Sequence, residues 1–172
     1  TSKNKGPAGA IKKRNLIAEK LENVWVPSQF SNPNNVNAHI NGIAKEIIEQ
    51  INGKIDYFVH GIGTGGTFMG IAKVLKKANS NIQTIAVEPE KSAVLSGDSP
   101  GKHGIQGIGE GFIPSIVNRN YIDQVIPVST TEAIKETRIL ANTLGLLVGI
   151  SSGANIAAIR KLSRFVNGKS FL

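Results

Sequence analysis

The 172-residue chain has no cysteine, which removes disulfides, thiolate nucleophiles and cysteine-based metal sites from consideration. Aromatic residues make up only 5%, so the core has to come from Val, Ile, Leu and Ala, and no aromatic-interleaved basic surface for single-stranded nucleic acid is present. There is neither an apolar run long enough to cross a bilayer nor a signal-peptide pattern, and the expectation is a soluble, cytoplasmic protein with no membrane and no nucleic-acid partner. Acidic residues are scarce, with 12 Asp and Glu against 20 Lys and Arg. The basic excess is spread over helix-like segments (Lys12, Lys13 and Arg14; Lys76 and Lys77; Arg160, Lys161 and Arg164) and reads as solvated helix faces. His39, His60 and His103 lack metal-ligand spacing, so no metal is expected, and each reads as a satisfied core or surface histidine. A G-x-S-x-G elbow, a P-loop lysine and a compelling carboxylate pair are also missing.

What is present is an alternation of helix and strand signals. The apolar spacing predicts a helix over 7–22, with Ala10, Ile11, Leu16, Ile17 and Leu21 toward one side, and a short strand at 23–26. A polar loop at 29–35 leads to a helix over about 36–51, stopped by Asn52-Gly53. Next come a strand at 55–60, a glycine turn, a helix at 67–78 and a strand at 82–87. Residues 88–120, rich in Gly and Pro, form a long irregular excursion of the functional kind. A strand at 122–128 then precedes a capping-box pattern, Ser129-Thr130-Thr131-Glu132, and a helix with Ala133, Ile134, Thr137, Leu140, Ala141 and Leu144 on its apolar face. After a short apolar segment, Ser151-Ser152-Gly153 opens a last helix over about 154–166. This order predicts an α/β fold with a parallel or mostly parallel sheet flanked by helices.

The most informative segment is Gly61-Ile62-Gly63-Thr64-Gly65-Gly66-Thr67, which joins a strand to a helix N-terminus. Backbone N–H groups converge there, the helix dipole favours negative charge, and glycines let a ligand approach where a Cβ would obstruct it. Thr64 and Thr67 add hydroxyl donors suited to phosphate oxygens. The same residues also satisfy G-x-G-x-x-G, with Glu88 where an acidic residue would hold a ribose hydroxyl, so a nicotinamide-dinucleotide domain competes with a single terminal phosphate. A tight turn with no ligand is the third possibility.

Three further segments carry weaker signals. Alternating glycines at 105–114, with Gln106, suit a loop lying against a flat ligand or a small substrate; a flexible surface loop is the alternative. Gln29-Phe30-Ser31-Asn32-Pro33 could hold a carboxylate or simply start a turn. In Gly149-Ile150-Ser151-Ser152-Gly153-Ala154, a serine N-cap accounts for most of the pattern.

Taken in order, these segments and Ala86-Val87-Glu88-Pro89 closely resemble the cysteine synthase (O-acetylserine sulfhydrylase) family of fold-type II pyridoxal-phosphate enzymes. The resemblance implies pyridoxal 5′-phosphate as cofactor, with Gly63, Thr64, Gly65, Gly66 and Thr67 forming its phosphate cup. It places Gln29 near the substrate carboxylate, and Gly107 and Ile108 in the loop framing substrate and cofactor ring. It implies β-replacement of O-acetylserine by sulfide to give cysteine and acetate. As partners it implies an amino-acid substrate and sulfide, a homodimer, and the C-terminal tail of serine acetyltransferase. Nothing in the chain matches the family's Ser-x-Lys-x-Arg segment with its Schiff-base lysine, its Thr-Ser-Gly-Asn-Thr loop or its Pro-Ser-Ser-Gly-Glu segment; 40–46 also lacks the Thr-Gly-Pro-Glu pattern of relatives. Lys73, Lys76 and Lys77 read as solvent-facing helix positions. Residues 1–172 are therefore expected to be a partial cysteine synthase catalytic region that supplies the cup, has no catalytic residue of its own and is inactive in isolation. A nicotinamide oxidoreductase domain and a non-catalytic binding module stand as the alternatives.

Overall fold

The computed structural model describes residues 6–51 and 54–172. Its centre is a three-stranded, wholly parallel sheet in the order β1 (Tyr57–Gly61), β2 (Gln83–Pro89), β3 (Gln124–Val128). The strands are apolar nearly throughout because helices cover both faces, as parallel sheets require. Their period-2 alternation divides the core in two. Phe58 and Ala86 face one layer with Phe68, Met69, Ile71 and Leu75. Val59, Ile85, Val87 and Ile126 face the other, with Ala133, Ala154, Ala157 and Ala158. Phe68 and Met69 are among the fully buried side chains, each worth about 1.5–3 kcal/mol of hydrophobic stabilisation. Outside β1, Phe171 forms a parallel bridge with Tyr57, and the two rings stack at 5.1 Å.

The first layer holds α2 (Pro33–Asn41), α3 (Ile43–Gln50) and α4 (Gly66–Ala78); the second holds α5 (Thr130–Leu144) and α6 (Ile150–Ser163). α2 starts where Asn32 accepts a hydrogen bond from the Asn34 N–H at 2.9 Å and Pro33 takes the first turn. α2 and α4 approach closely because Gly70 has no side chain: a Cβ there would lie 2.6 Å from the His39 Cβ. This approach brings His39 to the start of α4. The expected capping box on α5 is present in full, the Ser129 hydroxyl accepting from Glu132 N–H and the Glu132 carboxylate from Ser129 N–H. At Gly153, a Cβ would run into the Ala133 carbonyl and Thr137, so α5 and α6 meet along a glycine.

Several expectations need correction. The first helix, α1 (Gly6–Ala18), is shorter than its pattern and has no buried residue, so the apolar side of 7–22 faces no core here. Residues 23–26 form no strand. The helix expected over 36–51 is two helices, because Gly42 takes φ −103° and ψ −110°, which no helix continues through; its Asn52-Gly53 stop lies outside the described residues. α6 begins four residues early, capped by Gly149 with no side-chain bond, so Ser151 and Ser152 are first-turn residues and neither is the N-cap. The basic side chains are not all solvated. Lys76 pairs with Asp123 at 2.6 Å and donates to the Ile82 carbonyl, and Arg160 pairs at 2.6 Å with the buried carboxylate of Glu136.

Candidate phosphate cup and cleft

The glycine turn connects the end of β1 to the start of α4. Gly65 caps the helix with φ +93°, a left-handed value that an L side chain adopts only with strain. A Cβ at Gly65 would sit 2.5 Å from Val117 Cγ2. At Gly66 it would run into the Asn35 side chain, and at Gly63 into the carbonyl of Gly107. The turn is thus closed in on three sides by neighbouring chain, and only glycine lets it pass.

The first turn of a helix leaves N–H groups without intrahelical partners. Here its residues Gly65, Thr67 and Phe68 line a cleft of about 310 Å³, together with Gly63 and Thr64. Both threonine hydroxyls are oriented from α2. Asn35 Nδ2 donates to Thr64 Oγ1 at 3.1 Å, and His39 Nε2 lies 3.2 Å from Thr67 Oγ1. Gly107 and Ile108 form the facing wall, and the Gly109 N–H donates to the Ile62 carbonyl at 3.2 Å. Gly107, Gly109 and Gly111 all have positive φ, and Ile105 and Ile108 are buried, so this segment is packed loop rather than a flexible surface one. The remaining wall comes from His60 and Gly61 on β1 and from Ser151, Ser152 and Asn155 on α6.

Gln29 does not line this cleft. It is exposed in an adjoining groove with Ala10, Ile11, Phe30 and Glu110, and reaches the cup only through its carbonyl, which accepts from Asn35 Nδ2 at 2.8 Å. Asn35 and His39, which bond the two threonines from behind, and His60 and Asn155, which line the cleft, are the residues that motif reading passed over. The Asn34-Asn35 pair in the polar loop was the available signal for the first. The others are brought in only by helix packing and strand pairing.

Electrostatically the cleft is neutral: among the described residues lining it there is no carboxylate, lysine or arginine. His60 adds no charge, because burial holds its imidazole below the ordinary range; His39 lowers it further, against the opposing bond to the Gly61 carbonyl. An anion here would be held by N–H dipoles and hydroxyls, as at other helix N-termini. The glycine cradle, the two oriented hydroxyls and the adjoining wall together fit a phosphate ester with a ring attached.

The dinucleotide alternative fails at Glu88. Its carboxylate is buried, accepting from Leu95 N–H at 2.8 Å, Ser96 N–H at 2.9 Å and the Ser96 hydroxyl at 2.6 Å. It anchors the turn at 92–98 and has no geometry for a ribose. No group of His, Asp or Glu suited to a metal ion occurs among the described residues, and no helix there is long and apolar enough to cross a membrane.

A parallel α/β layer fold with a neutral, glycine-lined cleft at its first strand-to-helix turn fits a protein that binds a phosphate-bearing cofactor. The chain belongs to the pyridoxal-phosphate dependent enzymes, whose family model matches residues 4–171. Among individual relatives, it is 44% identical over 161 residues to a cysteine synthase of Flavobacterium sp., covering 94% of this chain and 52% of that protein. It is 43% identical over 172 residues to cysteine synthase B of Campylobacter jejuni, covering 100% of this chain and 57% of that one. The structure superposes on cysteine synthase from Entamoeba histolytica with a TM-score of 0.91 at 43% identity, covering 99% of this chain and 51% of that one. An O-acetylserine dependent cystathionine beta-synthase from Helicobacter pylori gives 0.92 at 42% identity, over 100% and 56%. The chain therefore spans about half the length of the relatives it matches.

Proposed function

We propose that this chain supplies the cofactor-phosphate half of a cysteine synthase active site, which replaces the acetate of O-acetylserine with sulfide. The observation that carries the reading is the cup itself: Gly63 to Thr67, closed in on three sides and opening onto a neutral cleft at the N-terminus of α4. The names of the relatives support the substrate class, since cysteine synthases and an O-acetylserine dependent enzyme share this fold at above 40% identity. When bound, pyridoxal phosphate supplies the electron sink for chemistry at the substrate α-carbon.

The roles of the chain's own residues follow from their positions. The Gly65–Phe68 turn offers N–H dipoles to the phosphate, and Thr64 and Thr67 offer hydroxyls fixed by Asn35 and His39. Gly107 and Ile108 shield the ring side of the cleft from water and border the substrate space. Gln29 stands in the adjoining groove, where a substrate carboxylate would approach. The partners that go with this reading are an amino-acid substrate and sulfide, a second copy of the enzyme, and the tail of a serine acetyltransferase.

Pyridoxine 5′-phosphate, which retains the phosphate but has no aldehyde to condense with lysines, tests the cup by calorimetric titration. Saturable one-to-one binding is expected, competed by inorganic phosphate and abolished by Gly65→Asp, which brings a like charge against the anion. Unchanged affinity in Gly65→Asp would sink the reading. Borohydride treatment after incubation with pyridoxal phosphate should give no single-site adduct by intact mass, because no lysine among the described residues lines the cleft.

A further inference from the structure

The polarity of the cup is set from behind, by the face of α2 that lies against it. Asn35 and His39 are about one helical turn apart on α2, so both side chains leave it on the same side. Thr64 and Thr67 meet them there. Asn35 presents its nitrogen to the cup, because the same Nδ2 also donates to the Gln29 carbonyl at 2.8 Å, and a carbonyl only accepts. Its second hydrogen goes to Thr64 Oγ1 at 3.1 Å, and the Gly66 N–H reaches that oxygen at 3.4 Å. A hydroxyl oxygen has two lone pairs and one proton. With both lone pairs engaged, Thr64 is left with its O–H alone, and the cleft that it lines is where that proton can go.

Thr67 is governed differently. Its Oγ1 lies 3.2 Å from His39 Nε2, a nitrogen that donates or accepts according to where the imidazole carries its proton. If Thr67 donates to Nε2, its one proton is taken up within the protein. If Nε2 donates, the Thr67 proton is left for a ligand. The oxygens of a phosphate dianion offer only lone pairs, so Thr67 holds one in the second arrangement alone.

Resting on the phosphate-cup reading above, we propose that Asn35 and His39 are positioning residues that turn both threonine protons toward the bound phosphate. Asn35 holds Thr64 as a donor whether or not a ligand is present. His39 acts as a switch: an anion in the cup draws the imidazole proton onto Nε2. Neither residue lines the cleft, so both act through the threonines. Gly66 and Gly70 make the arrangement possible, since a Cβ at Gly66 would collide with Asn35 and one at Gly70 with His39.

Double-mutant cycles test this, read by calorimetric titration of the 172-residue chain with inorganic phosphate and with pyridoxine 5′-phosphate. Thr64→Val removes one hydrogen bond to a charged acceptor and should weaken both probes by about tenfold or more. Asn35→Ala lets the hydroxyl sample three staggered positions and should weaken both by about threefold. Added to Thr64→Val, Asn35→Ala should cost nothing further. His39→Leu should behave in the same way, alone and on Thr67→Val, and His39→Gln, which keeps a donor, should recover most of the loss. Losses that simply add would make Asn35 and His39 structural and overturn the proposal. Wild-type affinity in Asn35→Ala or His39→Leu would overturn it too. A second readout is the nitrogen-15 spectrum of the imidazoles in wild type, His39 being the one of the three histidines whose signals are missing in His39→Gln. Phosphate should bring Nε2 of His39 to its protonated position, and sodium chloride at equal ionic strength should not. An unprotonated Nε2 in the phosphate complex would overturn the switch. If the wild-type chain binds neither probe, the cup reading fails first and this inference falls with it.

Discussion

Gly65 allows the geometry of the cup to be tested by stability alone. Replacing it with alanine does two things. The φ of +93° forces an L side chain into the left-handed region, at about 1–2 kcal/mol. The new Cβ also lies 2.5 Å from Val117 Cγ2, more than an ångström inside the roughly 3.5–4.0 Å carbon–carbon optimum, and valine is stiff about χ1. Overpacking of that kind costs about 1–3 kcal/mol. Gly97 supplies the control, with φ +100° and nothing within 4 Å of an added Cβ, so Gly97→Ala carries the backbone cost without the clash. Both variants gain about 0.4–1 kcal/mol from a stiffer unfolded chain. The expected losses are therefore about 1 kcal/mol for Gly97→Ala and about 2–4 kcal/mol for Gly65→Ala. Urea unfolding of the two variants and wild type, with m-values compared to verify a common denatured state, measures both. If Gly65→Ala costs no more than Gly97→Ala, Val117 does not close the cup and the reasoning is wrong.

Glu88→Ala strips the N–H groups of buried Leu95 and of Ser96 of their acceptor and should cost about 1–3 kcal/mol in denaturation, while titration with NAD shows no binding before or after. Arg160→Met leaves the Glu136 carboxylate, only 6% exposed, without its cation and should cost about 1–3 kcal/mol; adding Glu136→Gln should recover part of that in a double-mutant cycle. Asp56 is held at about 2, below its ordinary 3.8, first by the Ser170 N–H and then by Lys169 and the Ser170 hydroxyl, against an opposing burial effect. A depressed carboxylate stabilises fully above its unfolded value and loses that contribution as pH falls through the folded one. Wild type should therefore lose stability between 3.8 and about 2 more steeply than Asp56→Asn, read from urea midpoints across that range; parallel curves would refute the assignment.

Much of this protein was already determined by the sequence, wherever the governing physics is local. The capping box at Ser129 and Glu132 closes within one helical turn, so it appears in the structure as written. The apolar strands and the glycines from Gly61 to Gly66 announce a parallel layer fold with a strand-to-helix turn open to an anion, because chain flexibility and hydrophobicity are properties of the residues themselves. Local patterns misled where a break or a cap depends on neighbours. Gly42 divides one periodic stretch into two helices, and Ser151 and Ser152 belong to a helix that starts earlier than their N-cap propensity suggests. Only the tertiary structure decided what Glu88 is for, since its carboxylate is claimed by amides seven and eight residues onward in a folded turn. It also decided which side chains share the cleft. Asn35 and His39 reach the cup because Gly70 lets α2 lie against α4, and Asn155 on α6 comes up against Gly61 of β1, where the missing side chain leaves it space. The hydrogen bonds from Asn35 and His39 join residues 29 and 28 positions apart, a separation that only the packing of helices on a sheet can close.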